Sequence, residues 1–406
     1  MFSLVRSPLK DFNRSSRSYF NLSNGIWSWF SDPRAIRYGN NTYIGVVNST
    51  GDIFIVQYNH VTKKYTSFNL HATLEVDDHD SPAILIRPDG KIQCFYSKHA
   101  VNGTYMLFRI STTAEDISAF STEADIGTNS TGTNGSTYAN PFYLTDEKKY
   151  YVFWRGGDYL PTYSTSLDGI TWDAAGGFLS VGGGERPYVK YVSNDTNRIH
   201  FAFTNAHPDS IATSLYYCYY ENGNFYKADG TLIKAIGSLP ITVTTEAEKI
   251  YDYSTHNDFR CWIWDIALDE NGYPVIVYTN FPSTTDHRYR YIRWTGSAWV
   301  DNEIINAGTY LYAAEPHYSG GICLDHQNPN IIYFSKQVGG AWEMFKGITP
   351  DNGATWKIHR ITSRYKKSGK SIRPVNVRNA NGDFNLVFPD GTYTTFISYS
   401  AKISHN

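Results

Sequence analysis

The sequence contains no apolar run near the roughly 20 residues that a membrane-spanning helix needs, and it has few charged residues and few cysteines. Charged residues make up 18% of the chain and the formal net charge is −2, which argues against a surface that wraps a polyanion such as nucleic acid. Recognition of an acidic ligand must then depend on a few well-placed Arg and His side chains. The four cysteines stand in apolar stretches without CxxC spacing, so we expect buried free thiols rather than disulfides or a zinc site.

The N-terminal stretch Met1–Pro8 lacks the long apolar core of a secretory signal peptide. Export then needs either a signal that is missing from this sequence or another route, such as release with a virion. We expect an extracellular or virion-associated protein with no membrane and no nucleic-acid partner.

Aromatic residues are abundant: they make up 16% of the 406 residues, with 33 Tyr and 10 Trp. Such residues favour β-strands, and Tyr and Trp also offer flat faces with a polar tip that suit sugar rings. Hydrophobic residues make up 41%, which is enough for a large core.

A unit of two apolar strands joined by a polar turn recurs seven times, as in Ser81–Tyr96 with its turn at Gly90. The seven turns lie at positions 39, 90, 147, 197, 272, 329 and 382. Six intervals separate them, five of 50–57 residues and one of 75, which indicates an insertion around residues 230–260. Radial repetition around an axis protects the strand edges. The pattern predicts an all-β fold, a seven-bladed β-propeller with four-stranded antiparallel blades. We expect a single domain over residues 1–406, closed by N- and C-terminal strands.

Two segments resemble the Asp-box, a turn found on outer hairpins of sialidase-type propellers: Ser166–Trp172 and Thr349–Trp356. In this turn the Asp carboxylate caps backbone N–H groups, Gly supplies a positive φ, and Trp packs between sheets. The motif supports a propeller fold but does not indicate which reaction the protein catalyses.

The innermost strand of each propeller blade runs along the axis, so residues just before it and just after the second strand fall on one rim. A concave set of His, Tyr and Arg suits acid–base chemistry on an anionic ligand. Each residue alone also fits a structural role, such as a His that caps a strand end. The candidates at these positions are His79, His99, Tyr138, Arg155, Arg186, His207, Trp264, Tyr318 and Arg373.

Asp77–Ile84 together with Tyr96–His99 resembles the signature of BNR-repeat propellers that include ulvan lyases and rhamnosyl-glucuronate lyases. Tyr138–Pro141, Phe153–Gly156 and Arg186–Lys190 fit the same group, and the resemblance runs from about residue 77 to 375. It is specific for the family rather than for the substrate, since some resembling propellers are assigned as rhamnosidases.

The motif of that family carries two His about 20 residues apart and a Tyr followed by an Arg; here His79 and His99 are 20 apart, and Tyr138 and Arg155 are 17 apart. The resemblance implies β-elimination in a uronate polysaccharide of the ulvan-like or rhamnosyl-glucuronate kind. His79 and Tyr138 then form the acid–base pair, with the division of roles open. Arg155, helped by a His, neutralises the carboxylate, so the catalytic set is His79, Tyr138, His99 and Arg155.

The substrate-binding set at the rim is Arg186, His207, Trp264, Tyr318 and Arg373. The scheme requires no cofactor and no catalytic metal. Asp77–Asp80 could hold a structural Ca²⁺, although loop capping explains these carboxylates better.

Two other functions fit the same pattern. One is a glycoside hydrolase on this scaffold, either sialidase-like or rhamnosidase-like; the Arg-Ile-Pro start motif of sialidases is absent. The other is a non-catalytic carbohydrate-binding or virion-adhesin propeller, which would keep an aromatic rim but tolerate loss of His79 and Tyr138. Formation of an unsaturated uronate separates a lyase from both.

Overall fold

A computed structural model describes residues 25–99, 106–130, 135–363, 369–382 and 384–406. The stretch Met1–Pro8 lies outside these residues. Strands are by far the main regular structure of the described chain and helix is almost absent, which confirms the all-β prediction. Its one α-helix, Val243–Glu246, has four residues, and the remaining helical segments are single 3₁₀ turns at Asp78–Asp80, Gly157–Tyr159, Ile236–Ser238 and Tyr253–Thr255. No described helix is long and apolar enough to cross a membrane.

The strands follow one another as antiparallel meanders. The first sheet consists of β1 (Ala35–Tyr38), β2 (Asn41–Val47), β3 (Ile53–Asn59) and β4 (Lys64–His71). The second sheet consists of β5 (Ala83–Ile86), β6 (Ile92–Tyr96), β7 (Leu107–Thr113), β8 (Asp116–Phe120) and β9 (Ala124–Asp125). The third sheet consists of β10 (Thr137–Leu144), β11 (Lys149–Arg155), β12 (Pro161–Ser166) and β13 (Gly176–Gly177).

The second half of the chain has wider sheets. The fourth sheet consists of β15 (Tyr188–Ser193), β16 (Arg198–Thr204), β17 (Leu215–Glu221), β18 (Asn224–Tyr226), β19 (Leu232–Ala235) and β21 (Glu248–Tyr251). Two further strands of this region, β14 (Leu179–Ser180) and β20 (Ile241–Thr242), do not belong to it. Strands β14 and β20 form a separate parallel ribbon. The fifth sheet consists of β22 (Arg260–Leu268), β23 (Pro274–Ser283), β24 (Asp286–Trp294) and β25 (Trp299–Gly308).

The last sheet has eight strands because two meanders share it. Its strands are β26 (Ile322–Leu324), β27 (Ile331–Val338), β28 (Ala341–Ile348), β29 (Lys357–Arg360), β30 (Lys370–Ser371), β31 (Val375–Asn376), β32 (Leu386–Thr395) and β33 (Ser398–His405). Strand β30 pairs with both β28 and β32 and so joins the meanders. Four-stranded sheets as predicted therefore occur at the first, third and fifth positions, while the others differ in width.

The insertion expected around residues 230–260 is present. Between β18 and β22 the chain adds β19, the parallel ribbon strand β20, the short helix and β21. These elements lie on the outer side of the fourth sheet, where β21 pairs with β17.

The end of the chain meets its beginning, so the sheets close into a ring. The backbone N–H of Arg37 donates to Arg378 O at 2.8 Å, and the N–H of Arg378 donates to Ala35 O at 3.0 Å. The next sheet joins in the same way, since the N–H of Ile84 donates to Pro33 O at 2.9 Å.

The described residues that precede β1, from Gly25 onward, fill the axis of this ring. The indole N–H of Trp27 donates to Arg373 O at 2.9 Å, and that of Trp29 donates to Ile263 O at 3.2 Å. Phe30 O accepts a hydrogen bond of 2.9 Å from the Asn140 side chain. Among its described residues, which begin at Gly25, a single isolated bridge between Ile26 and Val47 links this segment to a strand, so we call it a buried plug rather than a full strand.

Both Asp-box segments adopt the expected turn at equivalent places, between the third and fourth strands of their meanders. Asp168 Oδ1 accepts the N–H of Thr171 at 2.7 Å, and Asp351 Oδ1 accepts that of Thr355 at 2.7 Å. The rings at the end of each box pack edge-on against the preceding sheet, in the pairs Trp172–Phe95 and Trp356–Tyr291.

The smaller predictions for turns and thiols are also confirmed. Gly90, Gly272 and Gly382 occupy turns at φ of 76°, 75° and 105°, a region that favours glycine. The four cysteines are free and buried.

Candidate active site

The site begins at a short turn that leads into β5. Asp77 stands just before the 3₁₀ turn Asp78–Asp80, and its Oδ1 accepts the backbone N–H of His79 at 2.9 Å. This is the loop capping that the sequence suggested. The cap fixes the turn so that the His79 side chain lies beside the residues that follow β6, where His99 stands.

Asp77 holds both imidazoles, and we call Asp77, His79 and His99 the Asp77 cluster. Its Oδ1 lies 2.5 Å from His79 Nδ1, and its Oδ2 lies 2.8 Å from His99 Nδ1. The two rings stack with centroids 3.8 Å apart and planes inclined by 8°. An ionised carboxylate only accepts hydrogen bonds, so each ring presents an N–H to Asp77.

The two stacked imidazoles differ in charge. Burial alone would lower the pKa of His79, but the Asp77 carboxylate outweighs it and raises this pKa to about 9. Burial and the neighbouring charge of His79 lower the pKa of His99 to about 4. Against its own burial, the carboxyl pKa of Asp77 is held below its usual range by His79 and His99. Near neutral pH, His79 is therefore cationic, while His99 is neutral, with its proton on Nδ1 and an electron pair on Nε2.

Tyr138 lies at a distortion of the third sheet. Its φ is +66°, which is unusual for a residue with a side chain, and the register of β10 against β11 shifts between Thr137 and Asn140. This bend brings its ring to 5.3 Å from that of His79. Burial raises the pKa of the Tyr138 phenol well above its usual value, in spite of the opposing charge of Arg155.

Arg155, at the end of β11, covers the face of Tyr138 with its guanidinium 4.5 Å from the ring centroid. Its Nε donates to Thr137 Oγ1 at 3.1 Å and its Nη1 to Tyr188 OH at 3.2 Å. Its Nη2 is buried and has no acceptor among the described residues. A buried cationic donor without a partner is costly, which is typical of a group that meets a ligand.

Arg373 lies beneath this layer rather than at the open rim where the sequence placed it. It is only 1% exposed, and its Nη1 forms an ion pair with the buried carboxylate of Asp78. Its Nη2 donates to Tyr393 OH at 2.6 Å. Asp78 Oδ1 in turn lies 3.2 Å from His79 Nδ1. Arg373 therefore contacts the site through Asp78 and supports the turn that carries His79.

Asp80, the last carboxylate of that turn, is fully buried, and neither of its oxygens has a hydrogen-bond partner among the described residues. Its burial raises the pKa of this carboxyl well above the ordinary value. Asp77 and Asp78 are occupied by cations of the chain itself, so these groups do not form a ready oxygen cage for Ca²⁺.

Aromatic rings form the floor beside the Asp77 cluster. Trp264 stacks on Trp29 with centroids 4.3 Å apart, and Tyr318 meets Trp29 edge-on at 5.1 Å. Trp264 lies where the register of β22 shifts between Ile263 and Asp265. The indole N–H groups of Trp262 and Trp264 have no acceptor among the described residues.

A second group of ionisable residues, which we call the His207 cluster, consists of His207, Asp209, Glu315 and His317. His207 Nε2 lies 3.7 Å from Glu315 Oε2, and His207 Nδ1 lies 3.9 Å from Asp209 Oδ2. Asp209 Oδ1 pairs with His317 Nδ1. Burial lowers the pKa of His207 to about 4. Burial and the Asp209 carboxylate raise the pKa of Glu315 to about 7.

The structure brings most of the predicted residues to one place. Ring contacts run from His79 to Tyr138, from Tyr138 to Tyr188 at 6.4 Å and from Tyr188 to His207 at 5.5 Å. The guanidinium of Arg186 lies 4.9 Å from the ring centroid of Tyr159, which also contacts Arg155.

Several members of the site did not stand out from the sequence. Trp29 and Phe30 belong to the plug, which lies outside the repeated unit and carries no periodic signal. The spacing alone could have indicated three others, Asp209, Glu315 and His317, because Asp209 forms a His-x-Asp pair with the predicted His207, and Glu315 and His317 form a Glu-x-His pair.

The family of the chain follows from a direct match. The model of a family described as BNR repeat-containing matches residues 41–307, more than half of the sequence. The chain belongs to this family. No curated protein sequence matches it.

Solved structures resemble this BNR repeat protein over nearly its whole length. A PL25 ulvan lyase bound to -[GlcA(1-4)Rha3S]- is 16% identical with a TM-score of 0.74, covering 96% of this chain and 95% of the lyase. The polysaccharide lyase Uly1 is 13% identical with a TM-score of 0.60, covering 96% of this chain and 93% of its own. At these identities the likeness shows a common fold.

Proposed function

We propose that this protein is a polysaccharide lyase that cleaves a uronate-containing polysaccharide by β-elimination. The observation that carries the proposal is the convergence of a neutral His, a cationic His, a protonated Tyr and an Arg with a free donor within one aromatic-floored site. The fold shared with ulvan lyases supports it.

The first requirement of the reaction is neutralisation of the uronate carboxylate, because the proton on C5 is only weakly acidic while that carboxylate is charged. Arg155 Nη2 has no acceptor among the described residues and can donate a charge-assisted hydrogen bond to that carboxylate. His79 supplies a second positive charge, since its pKa of about 9 keeps it protonated near neutral pH.

The base must be free of its proton before the reaction. His99 meets this condition, since Nδ1 is committed to Asp77 at 2.8 Å and its pKa is about 4. It is also less buried than His79, with side-chain exposures of 19% and 5%. The resting charges therefore favour His99 rather than His79 as the base. A bound uronate beside His79 would offset the positive charge that weakens His99.

Tyr138 completes the set as the acid. Its phenol holds its proton at rest, because burial raises its pKa. In the reaction His99 Nε2 takes the proton from C5, the C–H electron pair forms the C4–C5 double bond, and the C4–O bond breaks. Tyr138 then gives its proton to the departing oxygen, which leaves one saturated sugar end and one unsaturated uronate. No metal takes part in these proton transfers.

The substrate class follows from the same surfaces. The floor of Trp and Tyr rings suits sugar faces, and the unpaired indole N–H groups of Trp262 and Trp264 are donors for sugar oxygens. We propose an ulvan-like polymer in which glucuronate alternates with rhamnose. Support comes from the -[GlcA(1-4)Rha3S]- ligand of the ulvan lyase.

We further propose that the six larger sheets make one seven-bladed propeller, with the eight-stranded sheet counted as two blades joined by β30. A polysaccharide substrate of this kind also supports action outside a cell or on a virion surface.

Incubation with a panel of uronate polysaccharides tests the function. The proposal expects a rise in ultraviolet absorbance from the conjugated double bond with a glucuronate–rhamnose polymer. Chain cleavage without that absorbance would identify a hydrolase, and binding without cleavage would identify a lectin-like protein.

A further inference from the structure

The His207 cluster holds side chains of the types that bind transition metals, contributed by two loops. His207 and Asp209 follow β16, while Glu315 and His317 lie in the connection between β25 and β26. One ligand atom each from His207, Asp209 and Glu315 can be chosen so that all three lie within 4.8 Å of one another.

The His207 imidazole lies beyond hydrogen-bond distance of both carboxyl groups, whereas Asp209 and Glu315 interact directly with each other. His207 Nε2 lies 3.7 Å from Glu315 Oε2, while the 3.9 Å to Asp209 Oδ2 is measured from the other ring nitrogen, Nδ1; with one ligand atom from each residue, all three lie within 4.8 Å of one another. A tetrahedral zinc ion with bonds of about 2.0–2.2 Å holds its ligand atoms about 3.4 Å apart. Modest movement of the two loops therefore brings the three groups to the spacing that an ion requires.

One carboxylate of the His207 cluster, that of Asp209, is already held in place by a second side chain. Asp209 uses Oδ1 to pair with His317, which is buried against Phe281, so that Oδ2 is the oxygen on the His207 side. A metal-binding residue is commonly held by such an outer hydrogen bond.

The connection that carries Glu315 is also fixed. The backbone N–H of Tyr318 donates to Glu315 O at 3.0 Å, and that of Glu315 donates to Tyr312 O at 3.2 Å. His287 Nε2 lies 3.0 Å from Pro316 O, which anchors the middle of the turn. The ligand groups thus come from restrained loops rather than from free surface side chains.

We propose that His207, Asp209 and Glu315 bind a divalent transition-metal ion of the zinc type, with His317 as the residue that positions Asp209. One imidazole with carboxylates suits such an ion better than Ca²⁺ or Mg²⁺, which take oxygen ligands. Two carboxylates balance its charge, and three protein ligands leave a position for water or a ligand oxygen. The ion lies beside the aromatic floor, since His207 contacts Trp262 at 4.4 Å.

Binding changes one local contact. In the free protein the backbone N–H of Asp209 donates to His207 Nδ1 at 3.1 Å. Ligation through Nε2 moves the ring proton to Nδ1, so this contact opens and the loop adjusts. The inference is independent of the lyase proposal because it concerns the ion alone.

Calorimetric titration of the chelator-treated full chain with Zn²⁺ tests the site. We expect one ion per chain and a rise in the melting temperature, because an ion that binds only the folded state stabilises it. His207→Gln and Glu315→Gln should each weaken binding by at least about 100-fold, and His317→Gln by about 10–100-fold.

His99→Gln is the matched control, because the Asp77 cluster is the other described group of metal-binding side chains at this spacing. It should leave Zn²⁺ affinity unchanged. The visible spectrum of bound Co²⁺ gives a second readout that does not depend on variant stability, and it should report a four-coordinate ion in the wild type. Absence of a bound ion, or loss of binding in His99→Gln with retention in Glu315→Gln, would overturn the proposal.

Discussion

The Asp77 cluster and the His207 cluster both combine imidazoles with carboxyl groups, but the pKa values shift in different directions within them. In the first, a single carboxylate receives two stacked imidazoles and raises the pKa of His79 to about 9. In the second, two carboxylates face each other, and the pKa of Glu315 rises to about 7 while that of His207 falls to about 4. Residue type alone does not decide charge. His79 lies 2.5 Å from a carboxylate oxygen, which outweighs its burial, whereas the nearest carboxylate oxygen to His207 is 3.7 Å away and burial prevails.

This difference is the reason for proposing separate roles for the two clusters. The Asp77 cluster keeps a cation and a neutral base in contact, which suits proton transfer next to an anionic sugar. The His207 cluster gathers carboxylates around an imidazole, which suits a cation. Variants in each cluster test whether the two have these separate roles.

The largest loss of catalytic rate is expected on substitution of Tyr138. Tyr138→Phe keeps the ring against Arg155 and His79 but removes the proton that the leaving oxygen needs. The rate of unsaturated product formation should fall by about 10²–10⁴-fold, with substrate binding nearly unchanged. Tyr188→Phe is the matched control, since it also contacts Arg155 but transfers no proton. A Tyr138→Phe protein that works at nearly the wild-type rate would remove this residue from the mechanism.

The next effect compares the two clusters directly. Asp77→Asn weakens the hydrogen bonds that orient the His79 and His99 rings and removes the charge that keeps His79 protonated. Turnover should therefore fall by about 10²-fold. Asp209→Asn in chelator-treated protein should lower turnover by much less. Steady-state rates of both variants on one substrate check this, and a larger loss in Asp209→Asn would reverse the assignment.

The free energy of unfolding should depend on pH in two separate ranges, an alkaline limb above pH 6.5 and an acid limb below it. The pKa of His79 is raised from 6.5 to about 9, so its pairing stabilises the fold below pH 6.5 and is lost as the pH rises through 9. The pKa of His99 is lowered from 6.5 to about 4, so stability falls as the pH drops from 6.5 through 4. Each limb amounts to at most about 3 kcal/mol.

Urea unfolding at a series of pH values measures these limbs. His79→Gln should flatten the alkaline limb and His99→Gln should flatten part of the acid limb, to which other buried imidazoles also contribute. The opposite pattern would mean that the proton resides on His99.

The smallest effect concerns the coupling of the stacked rings. After burial, the charge of His79 is the main cause that lowers the pKa of His99. His79→Gln should therefore raise the pKa of His99 in an imidazole NMR titration. The pKa of His207 should stay in place as an internal control, and an unchanged His99 would show that the two rings are not coupled.

Much of the fold could be predicted because it repeats. The turn glycines, the Asp-box turns and the position of the insertion all depend on local spacing. The plug at Trp27–Phe30 could not, because it depends on contacts between residues hundreds of positions apart, such as Trp27 with Arg373. The sheet joined by β30 could not either, because β30 has only two residues and pairs with β28 at one position, which leaves no periodic signal. Sheet width likewise depends on how neighbouring meanders meet.

The candidate site divides in the same way. The rule that strand ends form a rim placed His79, His99, Tyr138 and Arg155 together, as the structure does. The charge states of His79 and His99 could not be predicted from the sequence, because they depend on distances of a few ångströms between Asp77 and the two rings. Arg373 also has the sequence position of a rim residue, yet its φ of +48° and its pairing with Asp78 place it below the site.

The most direct test of the central claim is cleavage of a glucuronate–rhamnose polymer in water enriched with ¹⁸O, followed by mass spectrometry of the products. Elimination adds no water across the broken bond, so the account predicts an unsaturated uronate at the new non-reducing end and no ¹⁸O incorporated by cleavage. One ¹⁸O for each broken linkage and a saturated uronate would contradict it and identify the protein as a hydrolase.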